Sequence, residues 1–206
     1  MGELPKRKPN RLAGYDYSKN GAYFLTICTK DRVELFGSVT VGAVENAGAV
    51  ANRTHAYVEL SAIGKMVENE IHTMQTIRKN VTVDRHIVMP NHVHMIIVIA
   101  EDGGRLTTAP TTSLSEIIRL WKRAISKQIG FSPWQKSFHD HIIRNEKEYI
   151  RIAEYIDHNP EKWEKDCFHP VGAVVNRPHG QHGLLGRSPT ARRQRMVLYD
   201  KIEENT

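Results

Sequence analysis

The run His92-Val93-His94-Met95-Ile96-Ile97-Val98-Ile99-Ala100 constrains this chain more than any other segment. It is apolar on both of the faces that a strand presents, so it belongs inside a sheet with cover on each side. Val81 to Met89 is a second strand-like run just before it, and Pro90-Asn91 suits the two central positions of a tight turn. The segment reads as a hairpin whose second strand is central, and the rest of the chain must supply that strand's neighbours and covering layers.

Two further runs qualify as strands, Ala22 to Thr29 (AYFLTICT) and Phe138 to Arg144 (FHDHIIR). Between the first of these and the hairpin, Leu60, Ile63, Gly64, Val67, Ile71, Met74 and Ile77 recur at helical spacing, predicting an amphipathic helix over about 59–78. Ser113 with Glu116 has the capping-box spacing and opens a helix through about Gln128. Asn145 with Glu148 repeats it, starting a last helix that Pro160 ends. The order strand, helix, strand, strand, helix, strand, helix predicts an α+β fold: a ferredoxin-like (RRM-like) β-α-β-β-α-β sheet with helices on one face plus a C-terminal helix.

Residues 37–55 carry Gly37, Gly42 and Gly48 and few bulky apolar side chains, which predicts a loop or weak hairpin. Within them Gly48-Ala49-Val50-Ala51-Asn52-Arg53-Thr54-His55 echoes Gly172-Ala173-Val174-Val175-Asn176-Arg177-Pro178-His179, and both copies read as insertions at permissive surface sites. Residues 1–21 read as a basic, proline-broken arm. Residues 166–206, rich in Gly, Pro, His and Arg from about Val171, read as a flexible basic tail.

A chain of 206 residues holds one domain with appendages, and a net charge of +6 with a pI near 9.3 favours an anionic partner, nucleic acid first. Lys6, Arg7, Lys8 and Arg11 in the arm, and Arg119, Lys122, Arg123 and Lys127 on adjoining faces of one helix, could neutralise backbone phosphates. Trp121 and Trp134 are either bases' stacking partners or core. Cys28 and Cys167 lie in no CxxC pattern, which argues against a disulfide framework or a cysteine-zinc site. The N-terminal cations have no apolar run behind them, so a cytoplasmic protein is expected.

His92 and His94 are two apart on a strand, so both imidazoles leave the same face side by side. They can chelate a cation or can be strand residues satisfied by neighbours; His139 and His141 have the same spacing on the fourth strand. On the last helix Tyr149, Ile152, Ala153 and Ile156 form one stripe, and Tyr155 points about 100° away from its centre. Asn159, four residues on, shares Tyr155's side, so a phenol and an amide present together.

In combination, these residues resemble the single-tyrosine HUH transposases, above all the REP-associated tyrosine transposases and the related insertion sequence 200 group. The matching stretches are Arg11-Leu12-Ala13-Gly14-Tyr15-Asp16-Tyr17, Tyr23 to Thr29, Val88-Met89-Pro90-Asn91-His92-Val93-His94, Phe138 to Glu146, and Glu154-Tyr155-Ile156-Asp157-His158-Asn159-Pro160. They span about residues 11 to 165 in the family's order, with residues 37–55 and the tail departing from it.

The resemblance implies a transposase domain over 22–165 and a DNA strand-transferase acting on hairpin-forming single-stranded repeat elements. It implies Tyr155 as nucleophile, forming a covalent 5′-phosphotyrosine. It implies His92 and His94 as ligands of Mg²⁺ or Mn²⁺, with Asn159 as third protein ligand, in a monomer or homodimer. Two other readings stay open on the residues alone: a non-catalytic nucleic-acid-binding module of RRM architecture, and a metal-dependent phosphodiesterase that uses water in place of Tyr155.

Overall fold

The structure, a computed structural model, describes residues 11–12, 14–43, 54–100 and 113–169. Lys6, Arg7, Lys8 and both copies of the echoed segment, apart from Thr54 and His55, lie outside the described residues, as does the chain beyond 169. Four strands, β1 (Gly21–Cys28), β4 (Val81–Met89), β5 (His92–Ile99) and β6 (His139–Ile143), form one antiparallel sheet in the order β4-β5-β1-β6. That is the ferredoxin-like order, and β5 is interior as its two apolar faces require.

Alternation divides each strand between two cores. Tyr23, Leu25 and Ile27 of β1 and Val93, Met95 and Ile97 of β5 meet α1 (Ala62–Ile77) and α2 (Leu114–Ile129) on one face. Phe24 and Ile96 point the other way and meet Ile152, Ala153 and Ile156 of α3 (Glu146–Asp157). In β4 a register shift between Val83 and Arg85 reverses the alternation. Val81 and Val83 therefore share the α1 face with Val88, whereas Ile87 and Met89 turn to the opposite one.

The helix starts follow local chemistry. Ser61, Ser113 and Asn145 side chains accept the backbone N–H of Gly64, Glu116 and Glu148, each three residues on. α2 stops at Gly130, in the left-handed conformation with φ of 81°. After α3 the chain tightens into a 3-10 turn, Pro160–Lys165, with proline at its first position. No helix among the described residues is long and apolar enough to cross a membrane.

Three expectations need correction. Of the loop or weak hairpin expected over 37–55 the hairpin forms, but not as a bare insertion: β2 (Gly37–Ala43) pairs antiparallel with β3 (Thr54–Leu60), and α1 begins at Ala62, where Ser61 caps it, later than the spacing implied. Val39 and Val58 pack on Cys28, Met89, Trp163 and Phe168, so one face of this hairpin is structural. The packed chain also exceeds both expected ends. Tyr15 and Tyr17 set their rings against Tyr23 at 6.4 and 6.0 Å, and Phe168 is buried. Neither Cys28 nor Cys167 is in a disulfide.

α1 docks with almost no clearance. Ser61 N–H donates to Phe36 O, and a Cβ at Gly64 would stand 1.9 Å from the same carbonyl oxygen. Phe36 is itself fully buried against Trp134, so that backbone cannot yield. Gly64→Ala is expected to destabilise the fold by about 1–3 kcal/mol or more, read from the urea midpoint; a midpoint at the wild-type value would contradict this docking.

Candidate active site

β5 carries His92 and His94 on the α3 face, opposite Cys28 and Thr26 of β1 and Met89 and Ile87 of β4. Both imidazoles are fully buried, with ring centroids 4.5 Å apart. The Asn91 side-chain amide donates to Arg32 O (3.2 Å) and Phe168 O (2.8 Å), which turns its oxygen toward His92. His92 Nδ1–H therefore donates to Asn91 Oδ1 at 2.9 Å, and Nε2 keeps a bare lone pair, buried and without a partner. His94 Nδ1 is 2.9 Å from Thr26 Oγ1, and its Nε2 is 3.3 Å from the Tyr155 hydroxyl.

Burial holds both rings neutral. It pushes His92 well below the ordinary value, helped by the repulsion a charged His92 would meet from a charged His94 and from Arg32, and it pushes His94 down to about 3. Two neutral, adjacent imidazoles inside a sheet are ready ligands and poor cations.

The remaining groups come from α3 and the turn behind it. Ile152, Ala153 and Ile156 anchor the helix on Phe24 and Ile96. Tyr155, expected well off this stripe, sits half-buried at its edge, with its ring edge-on to Phe24 at 6.1 Å and to His94 at 5.2 Å. Asn159 is fully buried; its Nδ2 donates to Asp166 Oδ2 at 3.4 Å, and its Oδ1 has no partner. Asp166 accepts the Phe168 N–H at 2.7 Å, and burial raises its carboxyl above the usual range.

One nitrogen from each of His92 and His94 and one Asp166 oxygen lie within 4.8 Å of one another. The donor set fits a divalent cation: an orphaned imidazole nitrogen, a second imidazole, a carboxylate, and an unpartnered amide oxygen on the residue bonded to that carboxylate. Asp166 was missed by the sequence reading, falling one residue past the expected domain end. Charge balance could have flagged it, since a buried dication on two imidazoles and an amide needs an anion. That argument demands a carboxylate without saying which.

The basic residues of α2 are not brought to this site, because α2 covers the other face of the sheet. Arg119 is held by Glu116, with Nε to Oε2 at 2.7 Å. Lys122 is part-buried, donating to Gln135 O (3.0 Å) and Ser137 O (3.2 Å), and burial lowers it to about 8. Arg123 and Lys127 are exposed. Arg11 bonds Ser115 and lies over the Tyr17 and Phe138 rings. Trp121 and Trp134 are core, 5.0 Å apart, which removes them as stacking platforms. His141 meets Glu148 at 2.5 Å. A second group with metal-ligand atoms, Glu68, His72 and His86, lies on the α1 face, where Glu68 accepts from His86 at 2.7 Å.

No family model matches the chain. It is 31% identical to an uncharacterized protein of Haemophilus influenzae over 178 residues, 78% of this chain and 91% of the relative. It is 22% identical over 170 residues to a protein of the same organism named as a REP-associated tyrosine transposase, covering 75% of this chain and 83% of that one. The chain belongs to the REP-associated tyrosine transposase family. The solved structure of a REP-associated tyrosine transposase bound to a REP hairpin shares the fold, with a TM-score of 0.50 and 22% identity over 92% of this chain and 96% of that one.

Neutral burial of the two histidines makes stability depend on pH. The unfolded chain takes up protons near 6.5 and the folded chain does not until about 3 at His94, so stability falls as pH drops through that window. Urea midpoints in EDTA are expected to decline from pH 7 to pH 5, and the decline to shrink in His94→Gln. Equal declines in the two proteins would contradict the assignment.

Proposed function

We propose that this transposase-family chain cleaves and rejoins single-stranded DNA at hairpin-forming repeat elements through a covalent bond to Tyr155. The observation that carries the reading is the Tyr155 hydroxyl 3.3 Å from His94 Nε2, at the rim of the His92, His94 and Asp166 cluster. The hairpin substrate is suggested by the REP hairpin bound in the related structure.

Tyr155 Oη attacks the phosphorus. A bond forms between that oxygen and the phosphate, the bond from phosphorus to O3′ breaks, the phenol proton departs and the leaving oxygen gains one. One phosphodiester replaces another, so the free 3′-hydroxyl can reverse the step and join strands. The Phe24 edge contact and the anchored stripe of α3 fix the phenol's direction, which lowers the entropy cost of in-line approach. His92, His94, Asp166 and Asn159 would hold Mg²⁺ or Mn²⁺, which polarises a phosphate oxygen. Asn91 fixes the His92 tautomer, and Thr26 positions His94.

A labelled hairpin oligonucleotide from DNA flanking the gene, incubated with Mg²⁺ or Mn²⁺, is expected to give a covalent adduct on a denaturing gel. The adduct disappears in Tyr155→Phe and in EDTA, and its rate falls about 10²–10³-fold in Asp166→Asn. Cleavage that survives Tyr155→Phe would mean attack by water, and binding without cleavage would mean a non-catalytic module; either contradicts the proposal.

A further inference from the structure

Beside Tyr155 the surface opens into a cleft of about 330 Å³ lined by Arg151, Glu154, Tyr155, His158 and Lys162. Arg151 precedes Tyr155 by one turn of α3, so the two side chains stack on one face about 6 Å apart along the axis. Its Nε and Nη1 are sealed from solvent and have no hydrogen-bond partner. A guanidinium does not lose its proton, so it cannot relieve burial by becoming neutral. Glu154 lines the same cleft, yet no carboxylate among the described residues pairs with Arg151. The residue is only part-buried and lines the cleft, so its remaining nitrogen, Nη2, is open to an acceptor that enters there, on a guanidinium whose bonding the protein itself leaves unfinished.

We infer that Arg151, with Lys162 on the same cleft, binds a phosphodiester of the substrate strand next to the one that Tyr155 attacks. This rests on the strand-transferase reading and adds a binding subsite to it. The ligand's chemistry follows from the donors: a singly charged group with several exposed oxygens, reached from the open side of the cleft, and one helical turn from the nucleophile. The same argument relocates the strand's path. The basic residues of α2 are on the opposite sheet face, where Arg119 is paired and Lys122 is bonded to two carbonyls, whereas Arg151 and Lys162 flank the phenol itself. Arg151 is a substrate-binding residue in this scheme, and it leaves the bond-making to Tyr155.

The test measures hairpin-oligonucleotide affinity by fluorescence anisotropy across a salt series, with Tyr155→Phe as parent so that nothing is cleaved. Adding Arg151→Gln is expected to weaken binding about tenfold or more and to lower the salt slope by about 0.7, the loss of one single-strand phosphate contact. The urea midpoint of Arg151→Gln should equal or exceed that of the parent, because the substitution breaks no hydrogen bond or ion pair among the described residues. A neutral methylphosphonate at the phosphate adjoining the cleavage position should weaken the parent by the same factor and leave the Arg151→Gln variant unchanged. Unchanged affinity and slope in Arg151→Gln would overturn the inference, as would a lowered midpoint, which marks a structural role. Inorganic phosphate that competes equally with both proteins would also overturn it. The adduct assay on the otherwise wild-type chain separates the two claims. No adduct with the slope change intact sinks the transferase reading alone, and an adduct with no slope change sinks this subsite alone.

Discussion

A strand buried on both faces can carry polar side chains only where something inside the protein answers them, and β5 carries two imidazoles there. That constraint organises the region around it. Val93 and Met95 turn into the α1 and α2 core, which fixes the register and leaves His92 and His94 no choice of face. Asn91 then sets one tautomer, Thr26 holds the other ring, and α3 with its following turn closes over both. Dryness makes the rings neutral, and neutrality makes them ligands. One lone pair, on His92 Nε2, is left unanswered by the protein, and so is the oxygen of Asn159, whose amide donates to Asp166. A cation beside Asp166 would answer both.

How much of this was readable in advance depended on whether the determining forces are local. The β5 hairpin, the caps at Ser113 and Asn145 and the stop before Pro160 depend on neighbours within four residues, and the structure agrees with each. The sheet order followed from element sequence and the apolar character of one strand. A weak hairpin was one of two readings of residues 37–55, but the extent and packing of β2 and β3 were not legible. These strands contain glycine and alternate weakly, and they are fixed by what Val39 and Val58 touch, namely Cys28 and Met89 on other strands and Trp163 and Phe168 more than a hundred positions away. Nor could alternation in β4 be followed through the shift after Val83, which decides that His86 meets Glu68 instead of facing the site.

The site divides the same way. His92 and His94 announce themselves by spacing on an apolar strand, while Tyr155 and Asn159 stand out only together. Asp166 is contributed by a turn with no periodic pattern, and only the folded chain brings it to the imidazoles. The α2 cations show the converse error. A helical wheel finds a basic face but not which side of the sheet the helix covers, and charge on a sequence says nothing about prior partners such as Glu116 for Arg119. Arg151, unremarkable in sequence, is distinguished by having donors buried with none.

The account's central claim is that the phenol of Tyr155, and no other group, becomes bonded to DNA. Peptide mapping by mass spectrometry of the wild-type protein, digested with protease and nuclease after reaction with a hairpin oligonucleotide, tests it directly. The account predicts a nucleotide remnant linked through its 5′-phosphate to Tyr155, in the peptide that begins after Arg151. A remnant on Tyr149 or on any other residue, or cleaved DNA with no modified peptide, would contradict it.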